Sequence, residues 1–263
     1  MLSWYLLSDP ALDAATNMSR DLALLDLAAE RWVAFVRTYT WAPFTLSFGA
    51  NEPALKRYDR GAIDARGLAV VRRPTGGRAV WHAEELTYSI AAPDGTLGTL
   101  AESYRIIHEV LADGLRSLAR TPTGPVALSL AHRPTGPLAL DSGACFASPV
   151  GGEVISALGK VVGSAQLRER GAFLQHGSIL LGNRQELVTE ITRETPPATG
   201  AAALRDVLGR AVAPGKVAEA VCTSFAARLG PLSPLDSELL TAFEVRAAMH
   251  RPRFSDDAWT WRR

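Results

Sequence analysis

Short strand-like segments outnumber helical segments in this chain, and the two types do not alternate regularly. The strand-like segments are rich in β-branched and aromatic residues, as strands usually are. A doubly wound sheet needs a helix after nearly every strand, whereas here several strand-like segments follow one another directly. The sequence therefore predicts an α+β fold. The predicted strands cover residues 31–39, 44–48, 68–73, 78–82, 86–91, 126–131, 153–158, 161–167 and 172–181.

Four segments are predicted to be helices, and apolar residues recur in them at the spacing of one helical face. They cover residues 19–30, 100–119, 214–229 and 233–249. The last begins with Ser233 and Pro234, a serine cap followed by proline at the first helical position. Near Thr195 the sequence TPPATGAAA supplies prolines and glycine without an apolar period, which indicates a linker. We therefore expect a main domain over residues 1–190 and a small C-terminal helical extension over residues 200–263.

The composition is typical of a soluble globular protein. Hydrophobic residues make up 47% of the chain, charged residues 21%, and the formal net charge is +1. This balance argues against a nucleic-acid-binding protein with a broadly basic surface, so any charged partner must meet a local patch. The N-terminal MLSWYLLSDPAL lacks the basic start of a signal peptide, and no stretch approaches the roughly 20 apolar residues that cross a bilayer. We expect a cytoplasmic protein that binds neither nucleic acid nor membrane.

The segment RRPTGGRAVWHAEELTYSIAAP concentrates two adjacent glycines and three arginines in the span of a hairpin. Gly76 and Gly77 permit a positive φ angle and allow a ligand to approach the main chain closely. Arg72, Arg73 and Arg78 place cationic side chains beside them. The segment fits a glycine hairpin with solvated arginines. It also fits a cradle for a phosphate, a carboxylate or the polar head of an acyl chain, although it matches no dinucleotide or P-loop spacing.

A second segment, ACFASPVGGEVISALGKVVGSAQLRERGAFLQHGSILLG, contains Cys145, Lys160 and His176. Two cysteines are too few for a disulfide framework, so Cys145 is either a buried apolar side chain or a reactive thiol. A nearby positive charge favours the reactive thiolate, and Lys160 could supply that charge or act as the base. The residues alone also allow a hydrolase that uses Cys145 and His176, or a surface lysine beside a core histidine. The other cysteine, Cys222, is expected to be structural.

Both segments resemble signatures of the lipoate-protein ligase and octanoyltransferase family, which shares its fold with biotin protein ligases. RRPTGGRAVWHAEELTYS is similar to the signature RR-x-[TS]-GG-x-AV-x-H, and GKVVGSAQLRERGAFLQHGSILL is similar to the block that contains GSAQ and QHG. Weaker similarities lie in ATNMSRDLALL, WAPFTLSFG and FSDDAWTWRR. The resemblance covers roughly residues 17–181. It implies a mixed β-sheet core flanked by helices, with residues 1–190 as the catalytic domain and a small C-terminal helical appendage.

The sequence ACFASPVGGEV is similar to the motif CF-x-x-P-S-x-x-E of the cysteine-dependent octanoyltransferases, although it reads Val-Gly-Gly after the proline. This branch implies that Cys145 accepts an octanoyl group from octanoyl-acyl carrier protein. The group then passes to a lysine of a lipoyl-domain protein, either glycine cleavage H protein or the E2 component of a 2-oxoacid dehydrogenase. Lys160 becomes the second catalytic residue, and neither a cofactor nor a metal is required. The alternatives are a lipoate-protein ligase that uses ATP and Mg, and a non-catalytic binder of acylated carrier proteins.

The resemblance also implies which residues surround the substrate. Backbone N–H groups in the two glycine-containing motifs are expected to stabilise the oxyanion of each tetrahedral intermediate. The acyl chain is expected to lie in a narrow tunnel along Val80, Val161 and Val162. The predicted substrate-binding residues are Arg73, Gly76, Gly77, Arg78, His82, Gly163, Ser164, Ala165, His176 and Gly177.

Acyl carrier proteins and lipoyl domains are typically acidic, as the resemblance implies, whereas this chain is nearly neutral. A local basic patch is therefore expected to attract them. Arg168 and Arg170, together with Arg72 and Arg73, are the predicted members of that patch. The alternative for Arg168 and Arg170 is a solvated hairpin turn.

Overall fold

The structure is a computed structural model that describes residues 2–118, 127–131, 151–182, 184–193 and 200–263. Two predictions from the sequence, the reactive Cys145 and the linker near Thr195, lie outside these residues. Twelve strands and nine helices occur in the described part of the chain. The strands are β1 (Trp4–Leu12), β2 (Ala34–Trp41), β3 (Thr45–Phe48), β4 (Ala69–Arg72), β5 (Val80–His82), β6 (Glu85–Pro93), β7 (Ser129–Leu130), β8 (Val154–Ser156), β9 (Gly159–Lys160), β10 (Val162–Glu169), β11 (Ala172–Leu180) and β12 (Leu232–Pro234). The helices are α1 (Ala14–Arg31), α2 (Ala54–Arg57), α3 (Arg60–Ala65), α4 (Leu100–Ser117), α5 (Glu186–Glu190), α6 (Leu204–Leu208), α7 (Pro214–Leu229), α8 (Ser237–Ser255) and α9 (Asp257–Thr260).

A six-stranded mixed sheet forms the centre of the fold, in the order β10-β11-β6-β2-β1-β12. Strand β1 runs parallel to both of its neighbours, β2 and β12. Strands β2, β6, β11 and β10 pair antiparallel in succession. This mixture of strand directions, with helices beside the sheet, confirms the predicted α+β class.

Helices cover both faces of the large sheet. Successive residues of a strand point to opposite faces, so alternate residues pack against different helices. In β2, Ala34 and Val36 pack toward α4 and α7, whereas Phe35 and Tyr39 pack toward α1 and α8. Strands β6 and β11 are buried along their whole length, as expected for strands that are covered on both faces. The large sheet is therefore the middle of three layers.

The start of the chain differs from the prediction in two places. The sequence did not predict β1, because only Trp4 and Leu7 in it are buried and no period of two is visible. Helix α1 begins at Ala14 rather than at residue 19. The side chain of Asp13 accepts a hydrogen bond from the Thr16 backbone N–H at 3.0 Å, and this N-cap adds a turn to the helix.

The last long helix also begins later than predicted. Ser233 and Pro234 lie in β12 and pair with β1 at the edge of the large sheet, where proline is tolerated. Helix α8 begins at Ser237, because the Asp236 side chain accepts a hydrogen bond from the Leu239 backbone N–H at 2.8 Å. The predicted helix start at Ser233 is therefore wrong by one turn.

Two smaller sheets position the candidate site. The first has the order β4-β3-β5, and it packs with α2, α3, α5 and α9 around a second apolar core that contains Leu46, Phe48 and Ile63. The second has the order β7-β8-β9 and ends at Lys160. The backbone N–H of Lys160 donates to the Gly200 carbonyl at 2.7 Å, so the segment after residue 200 is tied to this small sheet.

The C-terminal helices pack directly on the rest of the fold. Helix α7 contacts α4, and α8 contacts α1 along its length. Trp261, next to α9, packs edge-on against Phe48 of β3 with the ring centroids 5.1 Å apart. The division into domains at residues 190 and 200 stays a prediction. Within the part of the chain that the structure describes, no helix combines the length and the apolar character needed to cross a lipid bilayer.

Candidate active site

A cavity is lined by residues from α1, from four strands of the large sheet and from β3 and β5 of the small sheet. Met18, Trp41 and Val80 supply an apolar part of its wall. Seven of the ten predicted substrate-binding residues also line it. They are Arg73, His82, Gly163, Ser164, Ala165, His176 and Gly177.

The predicted acyl tunnel is only partly consistent with this cavity. Val80 lines the cavity, as the sequence predicted. Val161 and Val162 are instead fully buried in the core between the large sheet and α4. Neither residue is among those that line the cavity.

The other three predicted residues, Gly76, Gly77 and Arg78, form a loop at the edge of the cavity. Gly77 has a φ of 88°, a conformation that favours glycine. A Cβ atom at Gly77 would lie 2.9 Å from Arg73 Nη2 and 3.9 Å from the Ala165 Cβ. Glycine at this position therefore lets the loop approach the cavity wall. An oxyanion-binding role for the loop stays a prediction.

Arg72 is buried and belongs to no basic surface, so this part of the predicted patch is wrong. Its guanidinium donates hydrogen bonds to the carbonyls of Gly49 at 2.7 Å, Glu52 at 2.8 Å and Thr260 at 2.9 Å. Buried charged groups are stable only where such partners replace water. Arg72 therefore joins the small sheet to the C-terminal segment.

Arg73 is also buried, which removes it from the predicted patch but places it on the cavity wall. Its Nη1 donates to the carbonyl and to the hydroxyl of Ser47, at 3.1 and 2.9 Å. Its Nη2 donates to the carbonyls of Gly76 at 3.0 Å and Arg78 at 2.6 Å. The Arg73 side chain thus fixes the glycine loop against β3.

The two arginines predicted at the hairpin between β10 and β11 have different environments. Arg168 is partly buried, and it forms an ion pair with Asp94 at 3.1 Å. Arg170 lies in the turn with a φ of 56°, and its side chain is 63% exposed beside Asp26. Only Arg170 is therefore available to contact a partner.

A basic surface is present near the C-terminus, and we call Arg170, Arg253 and Arg262 the C-terminal arginine surface. Arg253 and Arg262 lie over the Trp259 ring, 3.6 and 3.8 Å from its centroid. Burial, and then the positive charges of Arg262 and Arg170, hold the pKa of Arg253 below its usual range. Arg262 also donates to the Ala50 carbonyl at 2.6 Å, which places this surface next to the loops around the cavity.

His82 occupies the centre of a buried hydrogen-bonded chain on the cavity wall. Its Nε2 lies 2.7 Å from the Ser47 hydroxyl, and its Nδ1 lies 2.7 Å from the Glu85 carboxylate. The Trp41 ring stacks on the imidazole with the centroids 4.1 Å apart. The Thr87 hydroxyl donates to Glu85 at 2.6 Å and accepts from the Trp41 indole at 2.8 Å. The imidazole is therefore held at both nitrogens and on one face.

His176 forms a similar chain on the neighbouring strand. Its Nε2 lies 2.6 Å from the Thr75 hydroxyl, and its Nδ1 lies 2.8 Å from the Asp21 carboxylate. Burial lowers the pKa of His176. Burial alone would raise the pKa of Asp21, but its interactions with Arg37 and His176 outweigh burial and hold that pKa below its usual range. A neutral His176 donates to Asp21 and accepts from Thr75. Both of its nitrogens are therefore engaged in hydrogen bonds, and the alternative in which His176 activates Cys145, which lies outside the described residues, stays a prediction.

Lys160 is buried, which excludes the alternative of a surface lysine. Its Nζ lies 2.8 Å from Glu153 Oε2, and both side chains are 1% exposed. Glu153 Oε1 accepts hydrogen bonds from the Tyr104 hydroxyl at 3.1 Å and from the Ser164 backbone N–H at 3.4 Å. The ion pair therefore connects Lys160 to the part of β10 that lines the cavity.

The Ser164 hydroxyl connects β10 to α4 and β6. It lies 2.9 Å from His108 Nε2 and 2.7 Å from the Tyr88 hydroxyl. Burial, assisted by the charge of Lys160, lowers the pKa of His108 to about 4, so its imidazole is neutral near pH 7. His108 Nδ1 then donates to the Tyr104 carbonyl at 2.7 Å, and Nε2 accepts the Ser164 proton.

The sequence did not predict His108, Ser47 or Glu85 as site residues. A signal for part of this set was present in β6, where Glu85, Thr87 and Ser89 are polar residues at alternate positions. Alternate strand residues share a face, so this spacing indicates a polar wall. His108 had no such signal, because its partner Ser164 is distant in the chain.

Residues 13–226 match the family described as the lipoyl protein ligase A/B catalytic domain. The chain belongs to this family. Octanoyltransferase LipM from Kyrpidia tusciae is 38% identical over 278 residues, with 100% of both chains covered. Octanoyltransferase LipM from Brevibacillus brevis is 34% identical over 281 residues, again with 100% of both covered. Among solved structures, lipoate-protein ligase A bound with ATP has a TM-score of 0.76 at 18% identity, and the match covers 99% of this chain and 98% of that chain.

The lipoyl protein ligase A/B match includes the whole cavity. It begins at Asp13, the cap of α1, and ends within α7. The likeness to the solved ligase confirms the fold that the sequence motifs implied. In the described residues, no group of three or more His, Cys, Asp and Glu side chains is arranged to hold a metal ion.

Of the two cysteines of this lipoyl protein ligase A/B domain, only Cys222 lies within the described residues. Cys145 lies outside the described residues, so its catalytic role stays a prediction. Cys222 is partly buried on α7, and burial raises its pKa to about 11. It is a protonated thiol at neutral pH, which agrees with the expectation that it is structural.

Proposed function

We propose that this protein is an octanoyltransferase that forms a thioester on Cys145. The donor is octanoyl-acyl carrier protein, and the acceptor is a lysine of a lipoyl-domain protein, either glycine cleavage H protein or a 2-oxoacid dehydrogenase E2 component. The cavity carries the proposal, because it combines an apolar wall for the octanoyl chain with polar groups around Ser164 and His82. Relatives that match over their full length and are named octanoyltransferases support it.

In the first half-reaction, the Cys145 thiolate attacks the carbonyl carbon of the donor thioester. The new C–S bond to Cys145 forms, and the C–S bond to the carrier breaks, so the carrier leaves as a thiol. One thioester replaces another, and the exchange therefore needs no nucleotide. We infer that the buried Lys160 ammonium, which is paired with Glu153, favours the Cys145 thiolate over the thiol.

In the second half-reaction, the neutral amine of the acceptor lysine attacks the acyl-enzyme. A C–N bond forms, the C–S bond to Cys145 breaks, and the cysteine regains its proton. An amide is more stable than a thioester, so this step drives the whole sequence forward. Backbone N–H groups of the glycine loop, such as that of Gly77, would stabilise the oxyanion of each intermediate.

The C-terminal arginine surface supports acidic carrier proteins as partners. Arg170, Arg253 and Arg262 are exposed, and Arg262 contacts the loop at Ala50 beside the cavity. Positive charge next to the entrance of a site raises the association rate of an acidic partner. This surface takes the place of the patch that the sequence placed on Arg72 and Arg73.

Transfer assays with single cysteine variants test the proposal. Octanoyl-acyl carrier protein and a lipoyl domain are mixed with enzyme in the absence of nucleotide. Cys145→Ala should lose the transfer because it removes the nucleophile, whereas the matched variant Cys222→Ala should keep it. Equal activity in both variants, or modification that requires ATP and a free acid, would instead identify a ligase mechanism.

A further inference from the structure

The proposed second half-reaction needs a group that removes a proton from the acceptor lysine. A lysine side chain in water is an ammonium near neutral pH and has no lone pair with which to attack. Lys160 is a poor choice for this base, because its Nζ already forms an ion pair with Glu153 at 2.8 Å and both side chains are buried. His176 is also a poor choice, because its hydroxyl partner Thr75 is not among the residues that line the cavity, so a bound ammonium does not meet the hydroxyl end of that chain.

We propose that Ser47, His82 and Glu85 form a proton relay that deprotonates the acceptor lysine. This assignment rests on the octanoyl transfer proposed above. Ser47 and His82 both line the cavity, so the start of the relay is accessible to a bound side chain. The distance from Ser47 Oγ to His82 Nε2 is 2.7 Å, and the distance from His82 Nδ1 to Glu85 Oε1 is also 2.7 Å.

The hydrogen bonds of the relay have a defined direction. Arg73 Nη1 donates to Ser47 Oγ at 2.9 Å, so the Ser47 proton is directed toward His82 Nε2. His82 Nδ1 carries the other ring proton and donates it to the Glu85 carboxylate. His82 Nε2 is therefore the unprotonated nitrogen, which is the state required of a base. Ser47 Oγ keeps a second lone pair that can accept from an ammonium in the cavity.

The surroundings suit a charge that forms on His82. Glu85 Oε2 has no hydrogen-bond partner among the described residues, so the carboxylate retains capacity to stabilise an imidazolium. The Trp41 ring stacks on the imidazole and fixes its plane. The charged or titratable side chains that face His82 are Glu85 from β6, Arg73 from the glycine loop and His176 from β11. Arg73 disfavours a positive charge on the ammonium and on the imidazolium alike; this assists proton loss from the ammonium, and the Glu85 carboxylate offsets the same effect at His82.

Atoms and charges balance in the step. The lysine ammonium gives one proton to Ser47 Oγ while Ser47 gives its own proton to His82 Nε2, so His82 becomes an imidazolium beside the Glu85 carboxylate. The freed nitrogen lone pair attacks the thioester carbonyl carbon. The C–N bond forms, the C–S bond breaks, and one of the two protons left on nitrogen passes to the leaving sulfur while the amide keeps the other. The imidazolium then loses its proton to water.

Two small nucleophiles separate proton removal from positioning. Enzyme is first loaded from octanoyl-acyl carrier protein, and its discharge is then followed with Nα-acetyl-lysine amide or with hydroxylamine. The lysine derivative is an ammonium at neutral pH, whereas hydroxylamine is largely neutral and needs no base. His82→Gln should slow discharge to the lysine derivative by about 100-fold, a usual effect of losing a general base. Discharge to hydroxylamine should change by less than about threefold, and a higher pH should restore the reaction with lysine.

The matched control is His250→Gln, which removes a histidine paired with Asp26 at 2.6 Å, away from the cavity. It should leave the rates of discharge to the lysine derivative and to hydroxylamine unchanged. Glu85→Gln should slow discharge to the lysine derivative less than His82→Gln does and should change discharge to hydroxylamine little. Equal slowing with both nucleophiles would reduce His82 to a positioning residue and overturn the relay. Normal discharge by His82→Gln to the lysine derivative would overturn it as well. If wild-type enzyme cannot be loaded, the failure is that of the proposed function and not of the relay alone.

Discussion

Buried ion pairs and hydrogen bonds hold the side chains of the candidate site in place. The clearest example is the pair formed by Lys160 and Glu153, in which both side chains are almost inaccessible to water. Removing charges from water is costly, so such a pair is stable only while each partner keeps its hydrogen bonds. Glu153 does so through the Tyr104 hydroxyl and the Ser164 backbone. The pair is therefore sensitive to loss of one partner alone.

Lys160→Met should strongly destabilise the protein because it removes the ammonium that balances the charge of the buried Glu153 carboxylate. The expected loss in free energy of unfolding is about 3–5 kcal/mol. Adding Glu153→Gln should restore part of the loss, since the amide still accepts from Tyr104 and Ser164 without a charge. Urea unfolding of both proteins measures the difference, and Lys216→Met, at an exposed ion pair, is the control. Equal losses in the single and double variants would show that the charge is not the cause.

His108 should make stability depend on pH. Its pKa is about 4 in the folded protein against 6.5 ordinarily, so the unfolded chain binds the proton first as the pH falls. The contribution of His108 is complete above about pH 6.5 and is lost as the pH falls toward 4, by up to about 3 kcal/mol. Urea unfolding at several pH values should show a flatter profile for His108→Gln than for the wild type. Parallel profiles would mean that His108 does not remain neutral in the fold.

At the scale of elements, side-chain caps determine where the helices begin. Helix α4 begins with a capping box, in which Thr99 accepts from the Glu102 backbone N–H and the Glu102 carboxylate accepts from the Thr99 N–H. Asp13 and Asp236 cap α1 and α8 in the simpler way. Each cap satisfies an N–H group that has no partner within the helix.

The start of α8 can be tested directly with two alanine variants. Asp236→Ala should reduce the free energy of unfolding by about 1 kcal/mol, the usual effect of losing an N-cap. Ser233→Ala, at the position that the sequence suggested as the cap, should have almost no effect because Ser233 lies exposed in β12. Thermal or urea unfolding compares the two. A larger loss for Ser233→Ala would place the helix start at the predicted position after all.

Local patterns predicted most of the long elements, except β1, which shows no period of two, and they predicted the short elements poorly. The predicted helices at 100–119 and 214–229 correspond to α4 and α7, and the predicted strand at 172–181 corresponds to β11. Strand β12 has only three residues, and no periodicity can reveal so short an element. The motifs predicted which residues surround the cavity. They could not predict the pair of Ser164 with His108 or the pair of Ser47 with His82, because each pair joins distant segments.

At the scale of the whole molecule, the fold brings the C-terminus to the cavity. Helix α8 packs on α1, and Arg72 donates to the Thr260 carbonyl, so the last residues are fixed beside the glycine loop. This arrangement places the C-terminal arginine surface beside the loop at Ala50, where we propose that it attracts an acidic carrier. Attraction between exposed charges is screened by salt.

Reversal of charge on the C-terminal arginine surface should slow association with octanoyl-acyl carrier protein. The double variant Arg253→Glu and Arg262→Glu should lower kcat/KM for octanoyl-acyl carrier protein by about tenfold at low salt. The difference should shrink as salt is added, since screening removes the steering. Arg228→Glu, an exposed position on α7, is the control for charge reversal elsewhere. An effect that is independent of ionic strength would point to disrupted folding rather than steering.

The covalent intermediate on Cys145 is the central claim, and intact-mass analysis tests it most directly. Purified enzyme is incubated with octanoyl-acyl carrier protein without nucleotide, and the mass is recorded before and after a lipoyl domain is added. We predict one octanoyl group on the wild-type protein and on Cys222→Ala, its loss on addition of the lipoyl domain, and no adduct on Cys145→Ala. The absence of any adduct on the wild-type enzyme, or an adduct that persists in Cys145→Ala, would contradict the account.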